Sequence, residues 1–484
     1  MMEIQGMIID GKFVTESGTG KYIDVVNPAT EEVIAQVPAA SESQVDEAVQ
    51  AAWRAFEKWS RLSPFERARF LHKAASIVEE RAEEIGRVLT AEEGKPLKEA
   101  VSEVKGSAEV LRYFAEAGKR VFGEIIPLDK AHLQSIVIRQ PIGVVAAITP
   151  WNYPVQLLAW KVAAALAAGC TVVAKPPSET PLSPLQFLAC FLDAGFPQGV
   201  VNGITGAGSV VGRSLILHPL VRKVSFTGST EAGKKVMEYC ASGVKRVSLE
   251  LGGQSPLIVC ADADLEKAVK GGVRRSFRNM GQVCNSINRI YVEKSIYEAF
   301  VEQFVAETKK LRIGNGLTNP DVDLGPMVSL EALEKVKEHI EDAVKKGAKI
   351  LCGGKKPEGE QYAKGYFFEP TVVVDVTHDM LIMKEETFGP AVGIMPFEDL
   401  KDAIAWSNAT RYGLAAYVYT SSLEKARTIC LGLECGNIGL NNVDVATIYA
   451  PYTGWKESGF GTDLGPEGIL SYLEMKHIKV EFLE

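Results

Sequence analysis

The sequence is sparing in the residues that staple or metallate small proteins. Its eight cysteines, Cys170, Cys190, Cys240, Cys260, Cys284, Cys352, Cys430 and Cys435, include no CxxC pair. A chain of 484 residues buries enough apolar surface to need no disulfides, so each is read first as a buried, reduced thiol. Six scattered histidines and no HExxH leave zinc without a ligand set, so no metal is expected. The 53 Lys and Arg are outnumbered by 61 Asp and Glu, giving a net charge of -8 with no basic stripe. That balance excludes a nucleic-acid footprint. Long apolar runs are missing too, because the most apolar stretch, Pro141 to Ala174, is broken by Pro150, Asn152, Pro154 and Lys161, and a membrane span is not expected. The opening MMEIQGMIIDGKF carries Glu3 and Asp10 and no basic leader, so no secretory signal is expected and the chain is read as cytoplasmic.

What is there is ordinary globular composition, 46% hydrophobic and 24% charged, with room for roughly two to four structural units. Before residue 120 the pattern is helical. Ser41-x-x-Gln44 and Ser63-Pro64-x-Glu66 read as capping boxes, and Val45, Val49, Trp53 and Phe56 recur on one helical face. From residue 141, β-branched runs at Val144–Ile148, Thr171–Ala174, Val224–Phe226 and Val247–Leu249 alternate with helix-length segments, which predicts βαβ units and a parallel sheet. Ligands of such sheets bind beyond the carboxyl ends of the strands. The segments to inspect are therefore TPWNYP, KPPSETP, FTGSTEAG and ELGG. A second α/β stretch runs from about Gln254 to 450, with helices predicted at Leu330–Lys346 and Leu423–Gly432. Residues 122–140 and a strand-like Lys476–Phe482 fit neither interior and read as arms that pair with another subunit.

Singly, the reactive residues have bland alternatives. Cys284 in NMGQVCNSINR serves equally as a core thiol, Asn152 in PWNYP as a turn former, and Glu250 and Glu386 as solvated strand-end carboxylates. In combination they say more. ITPWNYP, AALAAGCTVVAKP, SFTGSTEAGKKV, SLELGGQSP, GQVCNSINRIYV, EETFGP and SGFGTDLG, in this order, resemble the aldehyde dehydrogenase superfamily over essentially the whole chain. The resemblance implies an α/β fold with a Rossmann-type dinucleotide-binding domain (1–121 and 141–252), an α/β catalytic domain (253–452) and a small β oligomerisation arm (122–140 and 470–484) of a homodimer or homotetramer.

It also implies roles. Cys284 matches the nucleophile, and a nucleophile is chemically required, because hydride leaves an sp² aldehyde carbon only after addition has made that carbon tetrahedral. The Asn152 amide and the Cys284 backbone N–H match the oxyanion donors, and Glu250 matches the base that activates water on the thioester. Relatives that pass the acyl group to coenzyme A lack that Glu, so a free acid is expected. The cofactor segment has Gly228 and Gly233 without a G-x-G-x-x-G fingerprint, and the family's shorter turn places the helix start near Ser229 at the pyrophosphate. Lys175, Trp151, Glu386 and Phe388 match further cofactor residues, Lys175 on the adenosine ribose and Glu386 on the nicotinamide ribose. NAD-preferring relatives often carry Glu three residues after that Lys. Ser178 stands there, with Glu179 next, so NADP is expected to be accepted and the NAD or NADP preference stays open.

At the substrate end, Tyr153, Trp160 and Tyr452 match the aromatic tunnel of betaine-aldehyde and aminoaldehyde enzymes, whereas Arg278 matches an Arg of succinate-semialdehyde enzymes. A second Arg expected in that subgroup is replaced by Trp160, and a redox-switch thiol by Ser286. The expected substrate is a small polar aldehyde, either a semialdehyde, a hydroxyaldehyde or an aminoaldehyde. The bland alternative has Arg278 paired with a nearby carboxylate and Trp160 packed on a helix. Two other classes of function stand beside this one: a non-catalytic binding descendant of the fold and a cofactor-independent esterase using the same Cys284 and Glu250.

Overall fold

The computed structural model describes residues 4–482. The outer ends of the expected segments 1–121 and 470–484, and part of the opening motif, lie outside the described residues. Two parallel-cored sheets carry the chain. The first has eight strands in the order Lys12–Val14, Met7–Ile9, Val201–Gly203, Thr171–Lys175, Val144–Ile148, Val221–Thr227, Arg246–Glu250 and Gly459–Phe460. Its five central strands are parallel and the edges antiparallel. Val144–Ile148 begins the parallel series and the chain then builds outward on both sides of it, so the strand order reverses there. Crevices for ligands open at such a reversal. The strand is buried on both faces: Val145 and Ala147 join one core cluster, Val144, Ala146 and Ile148 another.

The helices Glu42–Trp59 and Pro64–Glu80 start at the expected capping boxes, Ser41 with Gln44 and Ser63 with Glu66. The face expected from Val45 to Phe56 is buried only in its first half. Val45 and Val49 are buried, but Trp53 is 37% exposed and Phe56 is only half-buried, because the two rings stack at 6.0 Å on the wall of a surface groove, while Trp59 further along is buried again. Helices Ala82–Glu93 and Leu97–Ala117 follow, the latter packed on Pro154–Ala168, which is apolar all round and buried along nearly its whole length.

The second sheet orders Lys349–Cys352, Thr371–Val374, Ala391–Phe397, Ile287–Glu293, Ser255–Val259, Ala415–Tyr419 and Asn437–Leu440, parallel except at its first strand. Helix Leu423–Gly432 has the expected bounds, and Leu330–Lys345 ends one residue early. Segments Glu124–Pro127, Leu133–Pro141 and Leu473–Glu481 form a separate three-stranded antiparallel sheet, on which Ile125 and Met475 are well exposed. Residues 453–469, unassigned from the sequence, return to the first sheet, where Gly459 pairs with Glu250 and Phe460 with Leu249. Among the described residues no helix is long and apolar enough to cross a membrane.

Candidate active site

The turns after the two strands at the reversal face each other across a cleft of about 1010 Å³. Pro150, Trp151 and Asn152 follow Val144–Ile148; Gly228 and Ser229 follow Val221–Thr227; and Glu386 and Phe388 come from the second half of the chain. On its far side a cavity of about 260 Å³ is lined by Tyr153, Trp160, Arg278, Asn285 and Tyr452, among others. Cys284 and Asn152 line both spaces and stand where the two meet.

The segment leading to Cys284 is held in an unusual backbone. Asn279 and Met280 have φ of 49° and 58°, followed by Gly281 at 71°. A side chain at Gly281 would bring its Cβ within 2.2 Å of the Gly389 carbonyl, so that position requires glycine on two counts. Gly253 packs as closely behind the nucleophile candidate, since a Cβ there would meet the Cys284 carbonyl at 2.3 Å.

Asn152 is 3% exposed, and its side-chain amide donates to the Gln282 carbonyl at 2.9 Å while its Oδ1 has no partner among the described residues. Its backbone carbonyl accepts from Lys95 Nζ at 2.5 Å and Asn279 Nδ2 at 3.2 Å. Lys95 is itself buried, pairs with Glu103 at 2.7 Å and lies 3.8 Å from the Tyr153 ring centroid. Glu103 also accepts from the backbone N–H groups of Val155 and Gln156, capping a helix whose own first residues supply no cap. Sequence reading misses this network of Glu93, Lys95, Glu103 and Asn279. Its only signal is four polar residues in otherwise helical or apolar segments.

Cys284 is half-buried, and burial pushes its thiol up to about 12, with the negative charges of Glu250 and Glu386 acting in the same direction and a Tyr452 hydroxyl contact opposing. Glu250 ends its strand 5% exposed, so the solvated alternative does not hold. Both its oxygens lack hydrogen-bond partners among the described residues. Burial first, and then the charge of Asp463, holds its carboxyl well above the ordinary range, while the Lys161 cation pulls the other way. Lys161 and Asp463 are a buried ion pair at 2.9 Å.

On the cleft side, Ser229 caps helix Thr230–Ala241 by accepting from the Ala232 N–H, and Gly233 is buried against Leu251. Glu386 accepts from the Gly253 N–H at 2.8 Å, with its carboxyl raised to about 7 by burial. Trp151 and Phe388 meet edge to face at 5.4 Å. Lys175 is buried and donates to the Pro176 carbonyl, its ammonium lowered to about 8 by burial. Ser178 donates to the Gly206 carbonyl at 3.5 Å, and of this loop Glu179 is the residue that lines the cleft. In the cavity, Arg278 departs from the free-cation reading: its Nε is bonded to Glu99, which also accepts from the Tyr153 hydroxyl at 2.8 Å. Trp160 does pack on its neighbours, meeting Tyr452 at 5.5 Å, yet it also lines the cavity.

Comparison with known proteins agrees with this arrangement. The aldehyde dehydrogenase family profile matches residues 13–478. Succinate-semialdehyde dehydrogenase [NADP(+)] of Escherichia coli (strain K12) is 44% identical over 474 residues, covering 98% of this chain and 97% of the relative. The crystal structure of lactaldehyde dehydrogenase from Escherichia coli superposes with a TM-score of 0.97 at 39% identity, covering all of both chains. Betaine aldehyde dehydrogenase from Staphylococcus aureus, solved with NAD+, has a TM-score of 0.96 at 37% identity, covering 99% and 95% of the two chains. The chain belongs to the aldehyde dehydrogenase family.

Proposed function

We propose that this aldehyde dehydrogenase converts a small polar aldehyde to the free carboxylic acid through a thioester on Cys284 that water, activated by Glu250, hydrolyses. The observation that carries the reading is the position of Cys284 and Asn152 where a dinucleotide-sized cleft meets a smaller cavity, with Glu250, unpartnered among the described residues, ending the strand whose next residues, Leu251 and Gly252, line the cleft.

The aldehyde enters from the smaller cavity and the Cys284 sulfur adds to its carbonyl carbon. The resulting oxyanion is held by the Asn152 Nδ2–H that Gln282 leaves unused and by the Cys284 backbone N–H. A nicotinamide held in the cleft would supply the hydride acceptor that lets this tetrahedral species collapse to the thioester. Glu250 then takes a proton from water as the water oxygen attacks the acyl carbon, and the carbon–sulfur bond breaks to return the Cys284 thiolate. Burial makes Glu250 a base strong enough for the task, and the Lys161–Asp463 pair sets the field it works in.

The cleft residues fit a dinucleotide. Ser229 begins a helix whose N-terminal amides suit a pyrophosphate, and Gly228 and Gly233 keep that turn close. Lys175 and Ser178 would hold the adenosine ribose, Glu386 and Phe388 the nicotinamide ribose, and Trp151 packs beside them. NAD and NADP are both accepted, because Ser178 places no carboxylate at the position where Glu excludes a 2′-phosphate. In this reading residues 1–121 and 141–252 are the cofactor unit, 253–452 the catalytic unit, and 122–140 with 470–484 the arm joining two or four copies.

The test is Glu250→Gln under rapid mixing. Thioester formation survives, so a first-turnover burst of reduced cofactor is expected, followed by a steady state slowed by about 100-fold or more. A variant that loses the burst along with the steady state assigns Glu250 to an earlier step.

A further inference from the structure

The cavity beyond Cys284 contains cations, but each is already paired. Arg278 Nε is bonded to Glu99, whose side chain is 11% exposed and is held by the Tyr153 hydroxyl as well. Arg275 lies 3.6 Å from Asp444, which also pairs with Arg274 at 2.6 Å. A carboxylate tail arriving here would have to displace Glu99 from Arg278, or sit beside it as a second buried anion, and burying an unpaired charge is costly.

Besides Asn152 Oδ1, at the junction with the cleft, two neutral groups of the same cavity are unsatisfied among the described residues. Trp160 Nε1, a donor, and Asn285 Oδ1, an acceptor, are both buried and without partners among the described residues, on side chains of residues 6% and 5% exposed. They flank Tyr452: the Trp160 ring meets its ring at 5.5 Å, and Asn285 Nδ2 donates to its hydroxyl at 3.0 Å. An orphan donor and an orphan acceptor on the lining of one cavity, both on residues that touch Tyr452, match an alcohol, which accepts through oxygen and donates its proton. Each orphan costs about 1–3 kcal/mol until it is satisfied, and sites built this way reject analogues lacking the hydroxyl.

We infer that the cavity selects an uncharged, hydroxylated aldehyde, with Trp160 Nε1 and Asn285 Oδ1 as the hydroxyl's partners and Glu99 as the residue that withholds Arg278 from acidic substrates. This rests on the reading of Cys284 as nucleophile and of this cavity as the aldehyde side. Two matched pairs test it, as kcat/KM referred to free aldehyde: glyceraldehyde against propanal, and succinate semialdehyde against butanal. The wild type is expected to favour glyceraldehyde over propanal by at least about tenfold and to gain nothing from the carboxylate of succinate semialdehyde. Glu99→Gln is expected to raise the succinate semialdehyde to butanal ratio by about tenfold or more, and Trp160→Phe to bring the glyceraldehyde to propanal ratio toward one. A wild-type enzyme that favours succinate semialdehyde over butanal by about tenfold, or that takes propanal as readily as glyceraldehyde, overturns the inference even if neither variant folds. Cys284→Ala in the same series separates the two readings. Oxidation that survives it removes the assignment of the site itself; oxidation that depends on Cys284 but shows the reversed ratios removes only the selectivity.

Discussion

Replacing Asn152 by alanine removes one amide and leaves the loop that carries it in place. Lys95 and Asn279 hold the Asn152 backbone carbonyl, so neither bond depends on the side chain. What is lost is the Nδ2 that reaches the Gln282 carbonyl and, in the proposed mechanism, the oxyanion. An oxyanion donor of this kind contributes about 2.7–4 kcal/mol to the barrier, a 100- to 1,000-fold effect on kcat. The orphaned Gln282 carbonyl costs about 1–3 kcal/mol of stability. Single-turnover formation of reduced cofactor reads the first quantity and urea unfolding the second, on the same preparation. Asn152→Asp should be slower still, because it sets a negative charge where negative charge develops. A single-turnover rate for Asn152→Ala within about threefold of wild type refutes the assignment, since the structure leaves this side chain no other task near Cys284.

Burial pushes the Cys284 thiol up to about 12 and raises the Glu250 carboxyl, so the thiol holds its proton near neutrality and the form able to add to an aldehyde grows as pH rises. The single-turnover rate is therefore expected to climb between about pH 6 and 10, and a flat profile contradicts this. Lys95→Met leaves Glu103 and Glu93 buried without their cation, which should cost about 3–5 kcal/mol in urea unfolding. Unchanged stability would refute the contribution assigned to this buried pairing. Paired substitutions Ile125→Asp and Met475→Asp on the exposed face of the three-stranded sheet should shift sedimentation toward monomer, and an unaltered assembly mass removes this sheet from the interface.

Elements with a strong local signature are legible in the sequence itself. The capping boxes at Ser41 and Ser63 and the β-branched run Val144–Ile148 specify their own geometry through neighbours three or two residues away. Cys284, Asn152 and Glu250 can be named only by resemblance, since nothing local separates Cys284 from Cys260 or Cys435. Their shared environment is made by the strand reversal, which brings together turns more than a hundred residues apart: the Asn152 amide and the Gln282 carbonyl are separated by 130 positions. The Lys95 network is invisible in the sequence for the same reason, and so is the partner of Arg278, because Glu99 lies 179 positions away on a helix whose pattern reports only its apolar face. Trp53 departs from its expected burial because helical periodicity reports which residues share a face, and does not report that a groove opens beside that face at Trp53 and Phe56.

The antiparallel pairing of Leu133–Pro141 with Leu473–Glu481 has a consequence for biosynthesis. Ser135 Oγ and His477 Nε2 lie 2.9 Å apart across 342 positions of chain, so at about 5–20 residues per second the earlier strand waits on the order of 20–70 s for its partner to be made. A shorter delay, about 10–40 s, applies to the edge beside Glu250, which Gly459 and Phe460 cover 209 positions later. A nascent chain that has emerged only through Cys284 thus carries Glu250 on a strand whose neighbouring edge is still bare. In the proposed mechanism the site is complete only once these last segments are made, and until then the unpaired edges of the strands at Glu250 and Leu133–Pro141 are open to other pairing.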